Sequence, residues 1–368
     1  MKVQLPKKQL SESLAHIERI VPHKSSNPSL SLIKLSGNEE GLTFSGSNMD
    51  IDILARLRAD VTGESTVALP AQVFGQVVRA LPGDTVELEV DTAGGVKARE
   101  VEIRSGSYDT RLQLAEASGI PELQFPTTYR GSLDGASLAR ALGNVRYAAA
   151  VAEYQAIFRG VKLEFADGGT RAVATDGFRL AYYHLDDATG LEGNVVVPAR
   201  SADEMVKLLA GGEVALELAD NQLSLAQGAF KLNVKLMEGD FPDYSRVIPS
   251  KFVLSVTLEA QALAEAVSRV AVMADRTSNN RVDLFIRDGS LQITAEGSYG
   301  RSQQALEVSQ EGTESEIAVA YNAKYLIDAL QPIDGKLRLS LSGATSPSAL
   351  LSLEDASYFA MVVPLRTG

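Results

Sequence analysis

The residue types that ordinarily carry chemistry are scarce in this chain. Its 368 residues include three histidines, His16, His23 and His184, and no cysteine. Without thiols there are no disulfides, thiolate nucleophiles, zinc–thiolate sites or iron–sulfur clusters. His16 and His23 flank the end of one helical stretch, as a metal pair or, more blandly, as polar surface histidines. Asp50 and Asp52 alternate along a strand-like run, where they are either ligands for a hard cation or solvated strand residues. No Gly-rich phosphate loop follows a strand. The remaining carboxylates are too numerous for spacing to select an acid/base pair. These side chains suit a binding scaffold better than a catalyst, and neither a metal nor a cofactor is expected.

Charge gives the next constraint. Lys and Arg total 35 against 47 Asp and Glu, a net charge of −12. Taken whole, that disfavours a simple basic nucleic-acid binder, whose affinity comes largely from phosphate neutralisation. The distribution differs from the average. Helical patterns at 5–22, 70–82, 134–149, 198–210, 258–277 and 321–331 hold eleven Lys/Arg and nine Asp/Glu, leaving +2 there and −14 elsewhere. Mixed charge on exposed helix faces is the bland account; cations gathered on helices for a polyanion is the other.

The elements that would carry these residues recur three times. Apolar residues at Leu10, Leu14, Ile17 and Val21 mark one helix face, and the spacing returns at Leu138, Leu142, Val145 and Ala149, then at Leu263, Val267, Val270 and Ala274. A second landmark, Ala68-Leu69-Pro70-Ala71 followed by Gly83 and the alternating run Val86-Glu87-Leu88-Glu89-Val90, is repeated from Val196-Val197-Pro198-Ala199 and from Ala320-Tyr321-Asn322-Ala323. Between them lie alternating runs such as Val161-Lys162-Leu163-Glu164-Phe165, separated by turn signals. Each repeat therefore predicts two helices on antiparallel sheet, an α+β architecture of three tandem domains at 1–122, 130–247 and 250–368. No apolar run approaches the ~18 residues of a spanning helix. The first residues lack a signal-peptide core, so a cytoplasmic location fits.

Three segments give the most specific resemblance: Ala174-Thr175-Asp176-Gly177-Phe178-Arg179-Leu180-Ala181, Gly239-Asp240-Phe241-Pro242-Asp243-Tyr244-Ser245-Arg246-Val247, and the ending Val362-Val363-Pro364-Leu365-Arg366. With the repeat, they resemble the bacterial sliding clamp family, the beta subunit of DNA polymerase III, over the whole chain. The resemblance implies a DNA clamp fold and a head-to-tail homodimer closed into a six-domain ring around double-stranded DNA. It implies a non-catalytic processivity factor that tethers the replicative polymerase, the clamp loader and other proteins carrying clamp-binding peptides. Geometry agrees: twelve helices side by side at ~9 Å enclose a circle of roughly 35 Å, and subtracting a helix diameter of ~10 Å leaves a lumen of roughly 25 Å.

The same resemblance implies site residues. A peptide-binding cleft would use Thr175, Gly177, Phe178, Arg179, Leu180, Pro242, Arg246 and Val247 with Met361, Val362, Val363, Pro364, Leu365 and Arg366. Arg is expected there to fix the polar atoms of the peptide. Phe178 stands where His is common in the family, and Thr367-Gly368 extend the tail. Arg200 and Lys207 match basic lining positions, and Lys24 lies near a DNA-contacting loop, here Ser26-Asn27-Pro28-Ser29-Leu30-Ser31, which lacks the usual Arg and second proline. Leu112 and Leu114 would meet Val272 and Met273 of a second copy. The rival readings are a non-DNA scaffold of tandem β-rich domains and an enzyme using paired carboxylates.

Overall fold

Each of the six α-helices among the described residues begins where a strand ends. Strand Lys2–Pro6 runs into α1 (Lys7–Ile20), Ser65–Pro70 into α2 (Ala71–Ala80), and Gly131–Asp134 into α3 (Gly135–Arg146). Gly193–Pro198 leads to α4 (Ala199–Leu208), Leu254–Glu259 to α5 (Ala260–Val270), and Glu316–Asn322 to α6 (Ala323–Leu330). At least three antiparallel strands then follow every helix; after α1 they are Leu32–Asn38, Gly41–Ser47 and Ile51–Leu57, with the short Asp60–Thr62 added, as Ser309–Gly312 is after α5. The threefold sequence repeat is thus a sixfold repeat of strand, helix and three strands. The computed structural model describes residues 1–90, 99–116, 119–151, 156–219 and 221–366; Thr367-Gly368 lie outside the described residues.

The chain divides into two compact units, Met1–Ala136 with Lys207–Leu236, and Ser137–Val206 with Met237–Gly368. In the first unit a five-stranded sheet runs Asp60–Thr62, Lys2–Pro6, Thr85–Val90, Glu100–Ser105, Tyr108–Gln113. An eight-stranded sheet joins the first two sequence repeats edge to edge, with Phe230–Lys235 beside Ile51–Leu57 and Leu232 opposite Ile53. In the second unit a nine-stranded sheet joins the second and third repeats in the same way: Arg179–Leu185 pairs with Tyr358–Val362. A four-stranded sheet there ends on the edge strand Gly300–Glu307. The compact units therefore cut across the sequence repeats, because the main-chain ladders continue from one repeat into the next.

Apolar burial holds the helices down. Leu10, Leu14, Ile17 and Ile20 of α1 are all buried, worth about 1.5–3 kcal/mol each when fully removed from water. Helix α2 packs on α1 closely enough that a Cβ on Gly75 would meet the Glu18 carboxylate at 1.6 Å. Arg79 closes the contact with a 2.6 Å ion pair to Glu18.

The predicted helices are too long at their starts. Leu5, Pro70, Asp134, Pro198, Leu258 and Tyr321 all belong to preceding strands, since period-two alternation there merges into the period of the helix. Pro6 and Pro70 have extended ψ of 131° and 113° and stand before the helix rather than inside its first turn. The stretch 258–277 also ends early: Ala271–Met273 and Arg276–Ser278 are separate 3-10 turns. With the observed bounds the helices hold ten Lys/Arg and six Asp/Glu, so +4 on them and −16 elsewhere. Asp50 and Asp52 are not a strand pair. Asp50 lies in the turn before Ile51–Leu57, its amide bonded to Asn48 Oδ1. No helix among the described residues is long and apolar enough to cross a membrane.

Candidate functional site

The turn between strands Gly169–Thr175 and Arg179–Leu185 is fixed by its own side chains. Asp176 Oδ1 accepts from the amides of Phe178 and Arg179 at 2.9 and 3.0 Å. Thr175 Oγ1 donates to the Arg179 carbonyl at 2.7 Å and accepts from the Gly177 amide at 3.1 Å. Gly177 has φ +86°, a conformation glycine adopts without strain and side-chain-bearing residues avoid. The result is a rigid corner that leaves the Phe178 ring 52% exposed.

Behind this corner the nine-stranded sheet supplies an apolar floor. Leu180 faces Met361, and Met361 in turn faces Ala349 on the next strand. These three pack with Val173, Phe359 and Tyr244, while Phe241, Ile248, Tyr182 and Leu351 are partly buried around them. The 3-10 turn Tyr244–Val247 forms one side: its Tyr244 ring is buried, whereas Val247 is 52% exposed and Pro242 and Arg246 are exposed. Asp243 Oδ2 accepts from Arg246 Nε at 2.8 Å, so the Arg246 cation stays at the surface on its own turn.

Tyr244 is anchored below. Its hydroxyl donates to Glu164 Oε2 at 2.7 Å and accepts from Arg171 Nη1 at 3.3 Å. Burial is the main reason its pKa is pushed up to about 12; Glu164 adds to the rise and Arg171 opposes it. The phenol therefore remains a neutral donor across physiological pH.

The end of the chain completes the other side. Beyond strand Tyr358–Val362, the Val363 amide donates to the Phe178 carbonyl at 2.8 Å and the Leu365 amide to the Ala320 carbonyl at 2.7 Å. Pro364 is buried, Val363 and Leu365 are half-buried, and Arg366 is exposed. The structure thus gathers the expected cleft residues around one floor: the corner 175–180, the turn 242–247 and the tail 361–366.

Arg179 differs from expectation. It is 6% exposed and its guanidinium is spent inside the protein. Nε bonds Asp176 Oδ2 at 3.0 Å and Nη1 bonds Asp328 Oδ2 at 2.6 Å. The cation also lies over the rings of Tyr325 and Tyr147, at 4.5 and 5.4 Å. The reason is energetic: a buried guanidinium must be paired, and two carboxylates and two aromatic faces pair it. Arg246 and Arg366 are the exposed cations here. Sequence reasoning named none of the floor residues Val173, Ala349 and Phe359, although Phe241 and Tyr244 sit inside a quoted motif. Asp328, Tyr147 and Tyr325 gave no signal, being far from Arg179 along the chain.

The expected DNA-facing cations are exposed. Arg200 and Lys207 lie seven positions apart on α4, hence on one helix face, opposite the buried Ala199, Ala202 and Met205. Lys24 is exposed in the loop after α1, just before the turn Pro28–Ser31 that Asn27 caps. Leu112 lies on the edge strand Tyr108–Gln113 and Leu114 follows it, both half-buried. Val272 is 77% exposed in the 3-10 turn Ala271–Met273, where Met273 is half-buried.

The structure thus combines a repeated strand–helix unit, exposed helix cations, an apolar cluster bordered by three chain segments, and sheet-edge strands that include Tyr108–Gln113 and Gly300–Glu307. The family models of the DNA polymerase III beta subunit match in chain order: the N-terminal domain over residues 1–124, the central domain over 132–243 and the C-terminal domain over 245–366. The chain belongs to this family. The beta sliding clamp of Caulobacter vibrioides is 28% identical, with all of both chains covered. The structure superposes on the sliding clamp of Pseudomonas aeruginosa bound to griselimycin with TM-score 0.92, 25% identity and full coverage of both chains. That of Bacillus subtilis gives the same TM-score of 0.92 and 25% identity over the full length of both.

Proposed function

We propose that this protein is the processivity clamp of a bacterial replicase: two copies joined head to tail form a ring around double-stranded DNA and tether polymerases to it. The observation that carries the reading is the apolar floor of Leu180, Ala349 and Met361 walled by three separate chain segments. An apolar cluster bordered by the exposed Phe178, Pro242, Val247 and Arg366 suits a short linear peptide with bulky apolar side chains. Thr175, Gly177, Phe178, Leu180, Pro242, Val247 and the tail from Met361 to Arg366 form its walls, with Arg179 acting from beneath the corner. A relative of this fold has been solved with griselimycin bound. The partners are the polymerase subunit, the clamp loader and other proteins with such peptides, in the cytoplasm. The clamp itself catalyses nothing.

Ring closure follows from the sheet edges. Tyr108–Gln113 and Gly300–Glu307 each end a sheet with unpaired main-chain groups, and free edges seek a partner. Pairing one with the other in a second copy is heterologous and closes after a fixed number of domains. Leu112 and Leu114 then meet Val272 and Met273 of the second copy. In this reading the three domains are 1–122, 130–247 and 250–368. Arg200, Lys207 and Lys24 face the DNA, and the negative remainder of the surface repels it from outside.

Retention on DNA tests the proposal. Loaded with a clamp loader onto nicked circular DNA, the protein should co-elute with the circle and be lost when the circle is linearised. Equal retention on both forms identifies an ordinary DNA binder, and no retention on either returns the reading to a protein-binding scaffold.

A further inference from the structure

The corner that carries Phe178 is held from a helix 149 positions away in sequence. Arg179 is the connection. One carboxylate, Asp176, ties its guanidinium to the corner itself; the other, Asp328, ties it to α6. Tyr325, one turn earlier on α6, and Tyr147, the first residue after α3, cover the cation with their rings. The Tyr358 hydroxyl donates to the Ala329 carbonyl of α6 at 2.8 Å. Its single proton being used there, the 2.8 Å contact between the two phenol oxygens has Tyr147 as donor. Tyr147 is thereby fastened to the strand Tyr358–Val362, whose continuation bonds the Phe178 carbonyl through Val363. Corner, tail and α6 form one closed circuit around a single buried cation.

We infer that Asp328 is a positioning residue of the peptide cleft, setting through Arg179 the place of the Phe178 corner and of the tail bonded to it. The inference rests on the cleft reading above and deepens it. A solely architectural pair would not need to hold the residue next to Phe178, which is 52% exposed. Nor would it need the corner's own Asp176 on the same guanidinium. With Asp328 neutral, the cation keeps one partner of two, and the corner is free to follow Asp176 alone. Lys324 also donates to Asp328, at 2.9 and 3.0 Å, but its side chain is 70% exposed. Its removal is the matched control.

The experiment titrates a fluorescent peptide with a Gln-Leu-x-Leu-Phe core into the full-length protein, with light scattering and circular dichroism as folding controls. Asp328→Asn is expected to weaken peptide binding about tenfold or more, the loss typical of a hydrogen bond to a charged group, while Lys324→Met stays within about twofold, as for an exposed ion pair. In an Arg179→Gln background Asp328→Asn should add nothing beyond about twofold, because its route to the cleft is already cut. A folded Asp328→Asn with wild-type affinity overturns the inference, as does a further tenfold loss in the Arg179→Gln background. If Asp328→Asn does not fold, Tyr147→Phe carries the test: weaker binding supports the circuit and unchanged binding overturns it. A wild-type protein without affinity for the peptide overturns the cleft reading itself and the inference with it; a wild-type binder with an indifferent Asp328→Asn overturns the inference alone.

Discussion

The amide of Val363 donates a 2.8 Å hydrogen bond to the carbonyl of Phe178, extending the ladder in which Leu180 faces Met361. Val363 therefore extends the sheet that carries Leu180 and Met361. In the proposed cleft, a tail held in this way would give a peptide a preformed wall and a smaller entropy loss on binding than a loose end would.

Deleting Pro364 to Gly368 removes that wall while leaving Leu180 and Val247 in place. The expected outcome is loss of peptide binding with the dimer intact. Burying one or two apolar peptide side chains contributes about 1.5–3 kcal/mol each, enough for micromolar-scale affinity only when both walls enclose them. Titration of the labelled peptide reads the effect, and light scattering reports the assembly. A truncated dimer that binds as tightly as the full chain removes the tail from the site.

Charging the exposed turn after α5 should break the ring. Val272 is 77% exposed, and the proposed ring contact covers it. Val272→Asp with Met273→Asp sets two carboxylates against Leu112 and Leu114 of the second copy, where burying an unpaired charge costs several kcal/mol. Monomer mass in multi-angle light scattering, with peptide affinity retained, is the expected result. An unchanged dimer places the closing contact elsewhere.

How much of this was legible in the sequence differs between fold and site. The helices and the repeat were readable because amphipathic spacing is local: Leu10, Leu14 and Ile17 announce α1 without reference to anything else. Strand Lys2–Pro6 was not, since its five residues alternate straight into the helix that follows. The cleft segments were legible as motifs, but the floor was not. Ala349 and Phe359 are ordinary strand residues until the register brings them beside Met361 and Leu180. The pairing of Arg179 was hidden for the same reason. Its partner Asp328 lies on a helix that only the folded chain brings near, and an unpaired Arg in a loop motif reads as a ligand-binding cation.

Acid should weaken the first unit through His16. The ring packs edge-on against Phe230 with centroids 4.9 Å apart. Its pKa is lowered from 6.5, first by burial and then by the nearby charge of Arg19, with Glu12 opposing. The folded state thus binds the proton less well than the unfolded chain. Its contribution to stability is full above 6.5 and is lost as pH falls below that value toward the depressed folded pKa. His16→Gln, which does not titrate, should flatten the dependence of the melting temperature on pH between about 7 and 5, the range set by the histidine value. An identical slope in the variant assigns the acid sensitivity to other groups.

DNA attraction should reside on the helices despite the net charge of −12. The observed helix bounds leave +4 on the helices and −16 on the remainder, so in the proposed ring a polyanion is drawn to the helices and repelled by the rest. Arg200 makes no ion pair among the described residues, and Lys207 lies two turns further along the same face of α4. Each phosphate neutralised by such a cation releases about 0.9 counterion on duplex DNA, which fixes the dependence of affinity on salt. Arg200→Glu with Lys207→Glu should therefore weaken binding and lower the slope of log affinity against log salt by about two, one for each lost contact. Dimer mass and peptide affinity should stay unchanged, since neither residue belongs to the cleft or to the closing turn. The matched control reverses Arg104, which sits on strand Glu100–Ser105 among Glu87, Glu89 and Glu102. Its reversal should leave the salt slope as it was; a control that lowers the slope while the α4 variant does not would move the DNA surface off the helices.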